Sequence, residues 1–417
     1  MASKDTQFCS KTIVLPVEES EYPRFVTDNE YARSLIRSYW LRYPELFPSA
    51  EPNFSLHGRT PKSKKLDQLQ LRRIETPSGV YRIRPSFIMS YFRGHVERDH
   101  LSEAMFLRKF GVPYWALAYL YGRDNQYYYR AELSLGRASV VGTTVKSPEL
   151  LPEDILSDEK HITQRGEKAY AATTIGGGCF LGIEVVSSAS EADLTQAYGV
   201  FAQEARAIKP DYEPRSVNVD GWGATQAAWK AIFSTVMIIE CILHAFLKIR
   251  DRATKAQQAT FEQIRERFWE AYHAPDRRTF SQRLRRIAEW IPQLDPSPMV
   301  ENLQKFVNKA PKWRKHFPCP TAHRTSNALD RLMRFMDKRL QDHQGFKGKT
   351  MERTTQNYRA MAMIYNFAPL APQPDNKQHK TQTPFERLNG KSYHQDWLQN
   401  LLVASSLAQR PNQPKAT

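Results

Sequence analysis

SVNVDGWGAT, residues Ser216–Thr225, decides the fold class of this chain. Val217 and Val219 alternate with polar residues as in a strand, Asp220 ends it, and Gly221 lets the backbone turn. ATQAAWKAIF (Ala224–Phe233) then reads as a helix, and STVMIIECILHAF (Ser234–Phe246) as a strand running into another helix. Upstream, ILSDEKHIT (Ile155–Thr163), KAYAATTIGGG (Lys168–Gly178) and CFLGIEVVSS (Cys179–Ser188) are three consecutive strand candidates, with Gly176–Gly178 as a hairpin turn. EADLTQAYGVFAQEARAIK (Glu191–Lys209) separates them from Ser216 and carries Leu194, Ala197, Tyr198, Phe201 and Ala205 at helical spacing. Three strands, helix, strand, helix, strand is an α/β pattern.

The flanking segments have a different texture. Residues 1–24 read as a flexible leader. Residues 25–145 read as mainly helical, with a proline-containing loop at Pro48–Pro61 and a basic run at Arg59–Arg73. Within them, Glu103–Arg137 has the punctuation of a helix-turn-helix: Gly111 ends one helix, Pro113 starts the next, Gly122 breaks it, and Asp124 caps a third over Asn125–Leu135. Gln126, Tyr128, Tyr129, Arg130 and Arg137 would form the polar face of that third helix, and Gln126, Arg130 and Arg137 are the candidate DNA contacts. The α/β segment spans 146–247. Residues 248–318 read as charged helices broken at Pro275, Pro292 and Pro296, and residues 319–367 as two further helices. Residues 368–417 read as a loop, a helix near His394–Ala404 and a polar tail.

Lysine and arginine number 60 against 44 acids in 417 residues, a net charge of +16. Such a surplus favours a polyanion, nucleic acid foremost. The longest apolar run, near Thr235–Leu247, contains Glu240 and His244 and is too short and polar for a membrane span. Four scattered cysteines and the absence of a secretion-type N-terminus in this sequence suit a reducing cytoplasm. No G-x-S-x-G or Walker-type motif is present, which points away from serine hydrolysis and ATP use.

Asp158 in the first strand, Asp220 at the end of the fourth and Asp330 in the first turns of the helix Thr325–Leu340 are three carboxylates on regular elements. Such a set can hold two divalent ions about 4 Å apart against a phosphodiester, with Asp158 between them. Magnesium, or manganese, suits an all-oxygen donor set. Trp222 and Trp229 read as core residues rather than stacking platforms for bases.

The strand-borne Asp158, the DGW element at Asp220–Trp222, the Cys-x2-His pair Cys241 and His244, and RTSNALDR (Arg324–Arg331) together resemble the DDE/D transposases of bacterial insertion sequences, in a Mutator-like layout. The resemblance covers about Leu150–Leu340. It implies an RNase H-like mixed sheet with an all-helical insertion, preceded by a mainly helical DNA-binding domain. It also implies DNA strand cleavage and transfer in the cytoplasm, at the nucleoid, by at least a homodimer on double-stranded element ends and target. The family's third acid is usually glutamate; here Asp330 stands at that position, with Glu301 as the alternative. An RNase H-like nuclease or resolvase, and a domesticated transposase serving as a DNA-binding regulator, are the rival readings.

The resemblance places His244 beside the active site, contacting DNA or positioning a carboxylate. Lys160, His161, Arg165 and Lys168 follow Asp158 closely, and the cations among them are candidates for neutralising phosphate near the scissile bond. Cys241 with His244 and Cys319 with His323 flank the insertion. If its two ends meet, they would form a tetrahedral zinc set.

Overall fold

The computed structural model describes residues 11–66, 68–89, 94–319, 321–340, 350–371 and 382–408. The chain opens with β1 (Thr12–Leu15), α1 (Tyr22–Thr27), α2 (Asn29–Arg42), β2 (Ser55–Arg59), β3 (Arg72–Thr76) and β4 (Gly79–Pro85). These strands form a sheet in the order β1-β4-β3-β2, with β1 parallel to β4 and the other pairs antiparallel. Two expectations are corrected here. Residues 11–24 are not a loose leader: Ile13 and Leu15 are fully buried on an edge strand, and Tyr22 and Phe25 of α1 pack beneath it. Nor is the segment 25–145 simply helical. The strands SLHGR, RRIET and GVYRIRP are so rich in charge that their alternation is masked. Arg72, at the end of the basic run, is buried and donates to the carbonyls of Phe25 and Asp28 and to Asn29 Oδ1, which turns its charge inward.

Three helices follow, α3 (Leu101–Lys109), α4 (Tyr114–Tyr121) and α5 (Asn125–Leu135), then the short α6 (Val140–Thr144). The punctuation works as read. Gly111 and Gly122 adopt positive φ, and Asp124 accepts from the backbone N–H groups of Gln126 and Tyr127. Buried Arg108 and Glu132 pair at 2.7 Å, and Tyr114 donates to the same carboxylate, tying the three helices together.

The second sheet contains β5 (Asp154–Gln164), β6 (Glu167–Gly176) and β7 (Cys179–Val186), followed by α7 (Glu191–Ile208) and β8 (Ser216–Val219), then α8 (Gly223–Ile232), β9 (Met237–Glu240) and α9 (Ile242–Arg250). Its order is β7-β6-β5-β8-β9. The first three strands are antiparallel, and β8 and β9 run parallel to β5. Gly177 and Gly178 supply the two positive φ values of the β6–β7 hairpin. Strand alternation sorts the core into two layers. Ile155, Ala172 and Leu181 pack under α7 and α8. Leu156, Ala171 and Phe180 pack under α14 (Asn327–Leu340) and α15 (Met351–Phe367), elements reached only after the insertion.

That insertion, α10 (Gln258–Tyr272), α11 (Arg277–Trp290), α12 (Pro298–Asn308) and α13 (Ala310–Trp313), has its own core of Phe268, Phe280, Leu284, Met299, Leu303, Phe306 and Trp313, closed by Ile242, Phe246 and Ile249 of α9. The last helices, α16 (Pro384–Asn389) and α17 (Trp397–Ala404), return to the N-terminal unit. There Ser406 Oγ accepts from Val14 N at 2.9 Å, and Leu398, Leu401 and Val403 share one core with Ile13 and Trp40. α15 lies between the two sheets' cores and touches both.

Candidate active site

The site assembles from strand register. Across the parallel pair β5–β8, Leu156 lies beside Asn218; carried two residues on, the same register sets Asp158 beside Asp220. The spacing of 62 residues between the two aspartates is that of the paired residues Asp154 and Ser216. Neighbouring strands run about 4.8 Å apart, so the two carboxylates emerge side by side on one face. Asp220 ends its strand because Gly221, at φ +101°, turns the chain away. Its Oδ1 accepts from Trp222 N at 2.8 Å, which fixes the side chain in the turn.

Asp330 arrives from α14 through a short relay. Val219 pairs with Glu240 across β8–β9, and Cys241 N donates to Val219 O, which sets Cys241 beside Asp220. The Cys241 sulfur accepts from Ser326 N at 3.2 Å and lies 3.4 Å from Ser326 Oγ, which in turn donates to Asp330 Oδ2 at 3.2 Å. Two backbone ties hold this segment to the strand ends: Ile242 N donates to Arg324 O, and Asn218 Nδ2 donates to His323 O. Arg324 itself points into the insertion, over the ring of Tyr272.

Electrostatics show the convergence. Burial raises the pKa of Asp158 above the ordinary carboxylate value; the neighbouring Asp220 and Asp330 carboxylates raise it further, while the Glu159 N–H and His244 oppose the shift. His244 is shifted up, first by hydrogen bonding to Cys241 and then by the charges of Asp220 and Asp158. The acids acting on Asp158 are thus those of Asp220 and Asp330, while Glu301 is exposed in the first turn of α12. Asp158, Asp220 and Asp330 share one electrostatic neighbourhood but not one coordination sphere. Among the described residues, no three His, Cys, Asp or Glu side chains are placed to hold one metal ion.

Other expected residues are scattered. The zinc set does not form: Cys241 is engaged with Ser326, and Cys319 lies 3.8 Å from Met237 Sδ. Both ends of the insertion return to β9: Cys241 directly follows Glu240 and engages Ser326, whereas Cys319 packs against Met237 and Ile239. Lys160 is near Asp158 and is paired with Asp337 of α14. Arg165 and Lys168 are at the β5–β6 hairpin, Arg165 at its tip with φ +55°. At about 3.3 Å per residue, that tip is roughly 20 Å along the strand from Asp158, too far to act beside that carboxylate. Gln126, Arg130 and Arg137 are exposed on or just after α5, whereas Tyr128 is buried in the core rather than on the polar face. Trp229 is core, donating to Ser157 Oγ at 2.7 Å. Trp222 is not: it is 37% exposed, with its ring edge-on to Tyr170.

Two site-adjacent acids escaped the sequence. Glu159, one residue from Asp158, faces the opposite layer and is buried under α7 and α8. Burial pushes its carboxyl up to about 7, while Tyr198 and Thr225 hydroxyls, both donating to Oε1, pull the other way. Glu240 lies beneath the Asp220–Gly221 turn and binds Lys309 and Lys312 of the insertion. Nothing in an apolar strand such as MIIE announces a partner seventy residues away. No protein-family model matches the chain, and no curated protein matches it in sequence.

Proposed function

We propose that this chain is a metal-dependent DNA transposase of the DDE/D type, built on an RNase H-like sheet. One observation carries the reading: the register of β5, β8 and β9, with the Cys241–Ser326 relay, brings Asp220 and Asp330 close enough to Asp158 for their charges to act on it. The chemistry of the donors suits hard divalent cations, since all are carboxylate oxygens and the charges of Asp220 and Asp330 weigh on Asp158, although the three do not form one coordination sphere in this structure. Asp158, Asp220 and Asp330 would hold two magnesium or manganese ions, whose chemistry is to activate an attacking oxygen and stabilise a leaving one.

The chain's own residues do the rest. Gly221 and the Trp222 N–H fix the direction of Asp220. Ser326 holds Asp330 toward the strand ends, and His244, whose buried Nδ1 has no hydrogen-bond partner among the described residues, offers a donor at the same face. Double-stranded DNA is the substrate that the net charge of +16 favours. The exposed α5 face with Gln126 and Arg130 would engage element ends, and joining two ends calls for at least two copies. No described helix is long and apolar enough to cross a membrane; a place at the nucleoid follows from the proposed substrate.

The test is a cleavage and strand-transfer assay in Mg2+ on DNA bearing the sequences that flank the gene. Nicking and joining by the wild type, both lost in Asp220→Ala, are the expected results. Cleavage without joining would make it a nuclease, and binding without cleavage a regulator. Unchanged cutting by Asp220→Ala would remove the proposed site.

A further inference from the structure

Glu240 is the last residue of β9, with its side chain only 5% exposed, and its carboxylate lies against Gly221: a Cβ added there would stand 3.4 Å from Oε2. Lys309 Nζ binds that Oε2 at 3.1 Å; Lys312 Nζ binds Oε1, which also accepts from Gln226 Nε2 at 3.2 Å. Both ammonium groups are therefore two contacts away from the turn that carries Asp220. Their side chains nevertheless remain about half exposed, at 46% and 47%. One carboxylate neutralises only one of the two cations, so the pair keeps a net positive charge facing solvent.

The pair does not stand alone. In KFVNKAPKWRK, lysines recur at 305, 309, 312 and 315, and all four are exposed, while Phe306 and Trp313 between them are buried in the insertion's core. The alternation of buried aromatic and exposed lysine gives α12, α13 and the turn after them one cationic side, pinned at its middle to the catalytic turn.

We propose that Lys305, Lys309, Lys312 and Lys315 form a phosphate-binding track for the DNA strand leaving the active site, and that Glu240 sets its register against Asp220. This rests on the DNA reading above. Lysines spaced one helical turn apart contact a polyanion as independent point charges, so each phosphate contact adds about 0.9 to the steepness with which log affinity falls with log salt.

The experiment measures affinity for a linear DNA duplex of arbitrary sequence over a salt series, with melting temperature recorded alongside. Lys305→Gln/Lys315→Gln touches neither Glu240 nor the core; it is expected to flatten the salt slope by about 2 at unchanged melting temperature. Lys305→Arg/Lys315→Arg should keep the slope. Lys309→Gln/Lys312→Gln should flatten it likewise and also loosen the insertion; should it fail to fold, the outer pair still decides. Wild-type slope and affinity in the outer-pair variant overturn the track while leaving the DNA reading intact. No DNA binding by the wild type at low salt overturns both.

Discussion

Arg359 and Glu204 pair at 2.6 Å with neither side chain open to solvent, and the same guanidinium bonds Glu184 at 2.7 Å and the Ala138 carbonyl at 3.0 Å. One cation on α15 thus satisfies two carboxylates, from α7 and β7, while Glu204 also accepts from Ser139 and Val141 N. This network joins the second sheet to the helix that bridges both cores. Arg359→Met would remove the buried cation that Glu184 and Glu204 share, at a cost of about 3–5 kcal/mol. Denaturant unfolding should show that loss, and a variant within 1 kcal/mol of the parent would refute the account.

Asp158 is held among like charges, so the proposed function and stability should oppose each other there. Asp158→Asn removes the desolvated charge and its repulsion from Asp220 and Asp330, and is expected to stabilise the metal-free protein while abolishing cleavage. A thermal melt in chelator, paired with a nicking assay, checks both halves; a destabilised variant would contradict the electrostatic picture.

Divalent ions should raise the melting temperature of the wild type. Stabilisation grows as RT ln(1 + [L]/Kd), so a hundredfold excess over Kd gives about 2.7 kcal/mol. Titration with Mg2+ or Mn2+ should show the rise, EDTA should reverse it, and Asp158→Asn/Asp220→Asn should lose it. An equal rise in the double variant would place the ion elsewhere.

Ser326 is the link between Cys241 and Asp330. Ser326→Ala is expected to slow single-turnover cleavage about 10- to 100-fold through misplacement of Asp330, with DNA affinity unchanged. Loss of affinity in step with rate would point to a folding defect instead.

Lys146 is half-buried, with its ammonium turned inward to donate to the carbonyls of Gly142 and Ala404, and this desolvation lowers its pKa from 10.5 to about 7. Between pH 7 and 10.5 the unfolded chain therefore holds a proton that the folded chain has released. By linkage, stability rises with pH across that window and gains nothing further from this group below 7. In Lys146→Met the rise attributable to it should vanish. Parallel pH–stability curves for parent and variant would show that the ammonium is not desolvated.

The helices and strands of 150–320 were legible because their signals are local: period-2 alternation in ILSDEKHIT, helical spacing in Glu191–Lys209, prolines between insertion helices. The N-terminal sheet was not legible. Its strands are short and charged, and β1 is held by Ser406, just after α17 near the other end of the chain. The zinc set failed for a related reason, since spacing says nothing about which neighbours a returning segment meets.

The sequence by itself determined which residues could be acids on strands and helices, and that Asp220 must stand at a turn, because glycine at positive φ follows it. It also determined the order along the chain of the elements that build the second sheet. Only the tertiary structure decided that Asp330, and not the exposed Glu301, stands where its charge acts on Asp158, and that Lys309 and Lys312 close on Glu240. Side-chain facing along one strand follows from local geometry, but which distant segments share a pocket depends on strand register and layer packing, which no local pattern encodes.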